Sequence, residues 1–89
     1  MTNDLSTLDP IATVADGRAR LDDIDDRLLA LLAERRDVSR QVQQLRIDAG
    51  GSRVEHSREN AIIRRWVDIL GDGGAELALS VLSLCRGRR

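Results

Sequence analysis

An all-α fold of three helices, one long and two short, is what this sequence predicts, and three observations predict it. Between Leu21 and Leu45 the apolar residues recur at three-to-four spacing, which marks one face of a long helix. Glycine clusters at Gly50-Gly51 and Gly71-Asp72-Gly73-Gly74 then cut the remainder into two shorter stretches. The composition supplies helix formers and starves sheets, with abundant alanine, leucine, glutamine and arginine but one aromatic residue (Trp66) and one proline (Pro10).

The first helix is expected to start between Ile11 and Val14 and to run to about Asp48, where Gly50-Gly51 stops it. Residues 1–12 read as a loosely ordered or disordered tail ahead of one helical domain, 13–89. Acidic residues crowd the first half of the helix (Asp16, Asp22, Asp23, Asp25, Asp26), where the helix dipole favours them. At 1.5 Å per residue the span is about 50 Å long, whereas a domain of this size has a radius of gyration of about 12 Å. One chain cannot cover such a stripe. A second copy on a two-fold axis is the economical cover, so the expected assembly is an intertwined helical homodimer.

Gly50-Gly51-Ser52-Arg53 reads as a short loop. The second helix is expected to begin between Val54 and Ser57, with Ser57 as a candidate cap and Glu59 in the favourable first turn. It continues through Ile62, Ile63, Trp66 and Ile69 to Leu70. The third, from Ala75 to about Cys85, carries Leu77, Leu79, Val81, Leu82 and Leu84 on most sides, as a helix packed by several neighbours would. A basic tail, Arg86-Gly87-Arg88-Arg89, follows.

The 89 residues make at most one small domain. A formal charge of −1 argues against general nucleic-acid affinity. The single cysteine, Cys85, excludes an internal disulfide, and with His56 the only histidine a zinc site is not expected. The polar, acidic opening predicts no signal peptide. Leu77–Cys85, the longest nearly apolar stretch, is far short of the roughly 20 residues of a membrane span. The expected location is therefore cytoplasmic.

Arg35 interrupts the apolar stripe of the first helix, between Leu31 and Val38. Its guanidinium keeps its proton, and burying it unpaired is costly. Arg46 lies eleven residues on, returning almost to the same angle at about 100° per residue. Near the start of the second helix stand Glu55, His56, Arg58 and Glu59. Several guanidinium groups beside one or two carboxylates can bind a small polyanion and can stabilise charge that develops in a transition state. Duller readings exist for each. An arginine on an apolar stripe is, taken alone, most often a snorkelling or ion-pairing residue. Glu59 and Glu55 at a helix start are commonly dipole partners. His56 reads as structural, Trp66 as core, and Cys85 as a small buried hydrophobe.

Several stretches occur together here: Leu29-Ala30-Leu31-Leu32-Ala33-Glu34-Arg35-Arg36, Val38-Ser39 followed by Arg46, and Gly50-Gly51-Ser52-Arg53-Val54-Glu55-His56-Ser57-Arg58-Glu59. In these residues the chain resembles the all-helical chorismate mutases, especially the short intracellular subgroup of actinobacteria, over about residues 16 to 88. The resemblance implies a cofactor-free pericyclic rearrangement of chorismate to prephenate. It implies that Arg35 clamps a substrate carboxylate together with Arg18 of the partner subunit, and that Arg58 binds the substrate from the second helix. Arg46 would stand at the breaking ether oxygen, and Glu59 would accept the ring hydroxyl's hydrogen bond. Glu55 falls where some relatives have a carboxylate and close actinobacterial ones an apolar residue. Leu82 and Arg86 replace a serine and a glutamine near the substrate in better-studied relatives, and Arg86 is carried over as a substrate-binding residue.

Two enzymes of the same fold, isochorismate-pyruvate lyase and aminodeoxychorismate mutase, are the alternatives within that resemblance. A non-catalytic helical regulatory module is the alternative outside it. The resemblance also implies DAHP synthase as an activating partner, with the Arg86–Arg89 tail as a contact.

Overall fold

The computed structural model describes residues 10–51 and 55–87. Met1 to Asp9 of the expected tail, Val54 at the expected start of the second helix, and Arg88 and Arg89 of the basic tail lie outside the described residues. Three helices follow in order, α1 (Val14–Asp48), α2 (His56–Leu70) and α3 (Gly74–Arg86), with no strand among the described residues. Two compact units divide the chain, one ending at Ala30 and the other beginning at Leu31.

In the first unit, α1 starts on a cap that the sequence reading did not single out. The backbone N–H of Asp16 donates to the Thr13 hydroxyl at 3.0 Å, which satisfies one of the amide groups that a helix start leaves without a partner. Gly17 follows directly, and a side chain there would press on Ile11, 3.3 Å from the position of its Cβ. Further along, Asp23 and Arg27 form an exposed i,i+4 ion pair of 3.0 Å, worth a few tenths of a kcal/mol, ~0.3–0.5.

The second unit contains the end of α1, with α2 and α3 packed on each other. At the end of α1 the Gly51 N–H donates to the Arg46 carbonyl at 2.7 Å and the Gly50 N–H to the Ile47 carbonyl at 2.9 Å. This is the paired closure of a Schellman motif, and it needs a left-handed residue at Gly50, whose φ is +86°. The backbone of Arg46 is thereby fixed at a rigid helix end.

Two boundaries differ from the sequence expectation. Ser57 does not cap α2: Glu55 occupies the cap position, in extended backbone and without a side-chain cap bond, and Ser57 lies within the first turn. The third helix begins at Gly74 rather than Ala75 and includes Arg86. Gly74 is buried because α3 meets α2 there; a Cβ at this position would stand 2.5 Å from the Trp66 carbonyl oxygen. The glycine cluster that reads as a breaker thus ends in a residue chosen for close approach.

The hydrophobic core of the chain is Ala78, Val81, Leu82 and Cys85, one face of α3. Leu77, Leu79 and Leu84 are exposed on its other sides, so within one chain α3 is packed on one side only. No residue of α1 is buried. Every apolar member of its stripe is open, from Leu21 and Ile24 to Leu31 (60% exposed) and Leu45 (68% exposed). Such a run of leucine and valine is what a partner surface looks like before it is covered.

Candidate active site

The second unit holds a cavity of about 220 Å³ in which most of the sequence-predicted residues meet. From α1 come Arg35, Val38, Ser39, Val42, Gln43 and Arg46, from the approach to α2 and its first turns Glu55, Arg58, Glu59 and Ile62, and from α3 Leu82, Cys85 and Arg86. Helical spacing explains the α1 contribution: positions 35, 39, 42 and 46 recur on one face. Arg18 belongs to the unit that ends at Ala30, where it is exposed on α1, and it is not among the residues lining this cavity.

Arg35 is half-buried and donates from Nη1 to the Cys85 Sγ at 3.0 Å. Cys85 is 1% exposed. The sequence reading placed this residue as a small buried hydrophobe; burial agrees, and the thiol in addition accepts a hydrogen bond from the arginine. Arg46 reaches the Glu55 carboxylate at 3.4 Å, the arginine side chain 31% and the glutamate 52% exposed. At that exposure the pair orients the guanidinium more than it stabilises the fold.

Arg86 and Glu59 form a close charged contact in the cavity. One terminal nitrogen, Nη2, stands 2.9 Å from both Oε1 and Oε2 of Glu59. The carboxylate on which the resemblance places the substrate hydroxyl is therefore already engaged from its α3 side. Arg58 is exposed at the edge of the cavity. His56 is exposed and does not line the cavity.

Sequence reasoning missed Ser39, Gln43 and the role of Cys85. Ser39 and Gln43 carried a usable signal, since Ser39 sits at i,i+4 from Arg35 and Gln43 at i,i+4 from Ser39, and their side chains lie 3.5 Å apart. The Cys85 contact joins residues fifty positions apart and has no local signature.

Four arginines and two carboxylates line the cavity, an excess of two positive charges. With apolar walls from Val38, Val42, Ile62 and Leu82, this suits a small apolar-bodied dianion. No thiol beside a base lies in it, and among the described residues no cluster of histidine, cysteine and carboxylates could hold a metal ion. Charge placement is the chemistry it offers. The class defined by such a fold and site is a helical protein with a cation-rich cavity shaped for a small dianion. Residues 17–81 match the family described as "Chorismate mutase type II", and the chain belongs to it.

Relatives agree with that assignment. The chain is similar to the intracellular chorismate mutase of Mycolicibacterium smegmatis, 38% identical over 82 residues that cover 92% of this chain and 79% of that protein. It is equally similar, 38% over 79 residues, to the intracellular chorismate mutase of Mycobacterium tuberculosis, with 89% and 74% covered. Among solved structures, a non-covalent complex of DAHP synthase and chorismate mutase from Corynebacterium glutamicum, with a bound transition state analog, contains a chain that superposes with a TM-score of 0.80 at 29% identity. The match covers 85% of this chain and 92% of that one. The enzyme is an isomerase, acting on chorismate. None of its described helices is long and apolar enough to cross a membrane.

Proposed function

We propose that the cavity of the second unit is where chorismate rearranges to prephenate, and that its residues divide the work as follows. Arg35 binds one substrate carboxylate, with Arg18 of the partner subunit completing the clamp. Arg58 binds from α2. Held at both ends, the substrate keeps the compact shape in which the new C–C bond forms, a proximity effect. Arg46 stands at the ether oxygen. As the C–O bond breaks, that oxygen gains negative charge, so a fixed guanidinium acts more strongly on the transition state than on the ground state. Glu59 accepts the hydrogen bond of the ring hydroxyl, and Glu55 holds Arg46 in place. Arg86 acts from α3. No cofactor takes part.

One observation carries this reading: Arg35, Arg46, Arg58 and Glu59, drawn from two helices, line a single cavity whose excess charge is opposite to that of a dicarboxylate. The reading places the protein in the cytoplasm as a homodimer, the exposed stripe of α1 covered by a second copy. The non-covalent complex of DAHP synthase and chorismate mutase from Corynebacterium glutamicum supports DAHP synthase as a partner of this chain; that the synthase activates it, with Arg86 and the tail beyond it as a contact, is part of the proposal. Purified chain incubated with chorismate, with and without DAHP synthase, tests both points. Prephenate should form without added metal or cofactor, faster when the synthase is present. Absence of prephenate in both arms would overturn the site, and equal rates would remove the activation.

A further inference from the structure

We propose that Arg86, by holding Glu59, makes the cavity select a ring hydroxyl over a ring ammonium, and so chorismate over its 4-amino analogue. This inference rests on the reading of Glu59 as the acceptor of the ring hydroxyl. The amino analogue is the substrate of the aminodeoxychorismate mutases, so the choice separates two activities of one fold.

A carboxylate alone does not make this choice. It accepts a hydrogen bond from a hydroxyl, and it accepts one more strongly from an ammonium, because that bond is charge-assisted. A solitary Glu59 would favour the amino substrate. In this cavity Glu59 is not solitary: Arg86 Nη2 bridges both of its oxygens at 2.9 Å, and the two side chains are 22% and 36% exposed. A carboxylate has about four lone-pair sites, so two contacts leave room for a neutral hydroxyl. An ammonium at the same place would lie within a few ångströms of a guanidinium, where like charges in partly desolvated surroundings repel strongly.

The wider cavity works in the same direction. Arg35, Arg46, Arg58 and Arg86 outnumber Glu55 and Glu59, so a substrate with two carboxylates and a neutral hydroxyl matches the excess better than one whose amine cancels a charge. Arg86 is the member of the excess in direct contact with Glu59. It also comes from α3, whose buried face of Ala78, Val81, Leu82 and Cys85 fixes the helix against its neighbours. Its charge is therefore presented from a packed element.

The test is the ratio of kcat/KM for 4-amino-4-deoxychorismate to that for chorismate, measured at about pH 6.5 so that the amine is charged. Each protein is its own control, because a partly folded preparation lowers both rates together. Arg86→Met should raise the amino-to-hydroxy ratio by about ten-fold or more, and Arg86→Lys, which keeps the charge, should stay within about three-fold of the parent. A ratio unmoved by Arg86→Met overturns the inference. Equal ratios for the Met and Lys variants overturn it as well, since shape and not charge would then decide. Glu59→Gln separates the inference from its premise. If Glu59→Gln leaves chorismate turnover intact, the placement of the hydroxyl on Glu59 fails. If it lowers turnover while Arg86→Met leaves the ratio unchanged, the selectivity inference alone fails.

Discussion

Replacing Cys85 with alanine should weaken substrate binding by releasing Arg35, whose guanidinium the thiol holds. The structure supplies the terms. Arg35 Nη1 donates to Sγ at 3.0 Å, and the thiol is 1% exposed. Hydrogen bonds from charged donors contribute about 1.5–3 kcal/mol, but a thiol is a weak acceptor, so a value near 1 kcal/mol, about five-fold in affinity, is appropriate. Without the acceptor the guanidinium regains rotamer freedom that substrate must then remove. A carboxylate clamp acts alike on ground and transition state, so the loss falls on KM while kcat is kept. Steady-state kinetics of Cys85→Ala, Cys85→Ser and Cys85→Val provide the assay. Serine keeps an acceptor and should recover most of the KM; valine fills the space without one and should not. Should Cys85→Ala match the parent KM while Arg35→Ala raises it, the thiol does not position Arg35 and the reasoning is refuted.

Other outcomes follow from the fold. Leu31→Glu alters a residue that is 60% exposed in the single chain, where a substitution would ordinarily change stability by less than about 0.5 kcal/mol. On a dimer seam it would bury one carboxylate from each subunit, so sedimentation should show monomer and turnover should vanish. A stable dimer would place the seam elsewhere. Gly74→Ala sets a Cβ 2.5 Å from the Trp66 carbonyl oxygen, backbone that cannot yield cheaply. The urea midpoint should drop by the equivalent of about 2–3 kcal/mol, within the usual range for overpacking. Thr13→Ala removes the cap on the Asp16 N–H and should cost about 1 kcal/mol by the same measure.

Much of this molecule is legible in its sequence, because its signals are local. Periodicity from Leu21 to Leu45 gives α1, and Gly50-Gly51 ends it through a motif that needs a left-handed residue at Gly50. Arg35 and Arg46 stand out because they break or prolong that pattern, and both line the cavity. What escaped is of two kinds. Thr13 was readable in principle, as a threonine three residues ahead of Asp16, whereas the need for glycine at 74 depends on how closely α2 and α3 approach. The contacts Arg35–Cys85 and Arg86–Glu59 join elements fifty and twenty-seven residues apart, and no spacing rule reaches across them. Arg86 shows the consequence: the resemblance carried it over as a substrate-binding residue, and the structure adds an ion pair with Glu59 that no local pattern announces.

Fixed positive charge at Arg46 is proposed to stabilise the negative charge that gathers on the ether oxygen as the C–O bond breaks. Single-turnover kinetics of Arg46→Gln with saturating chorismate test it most directly, with the dimer and its helicity verified in the same preparation. The glutamine keeps hydrogen-bond donors and removes the charge, so the chemical step should slow by about 10²–10³, the range seen when a donor to a developing oxyanion is removed. A rate within about three-fold of the parent would mean that the charge of Arg46 does not drive the reaction.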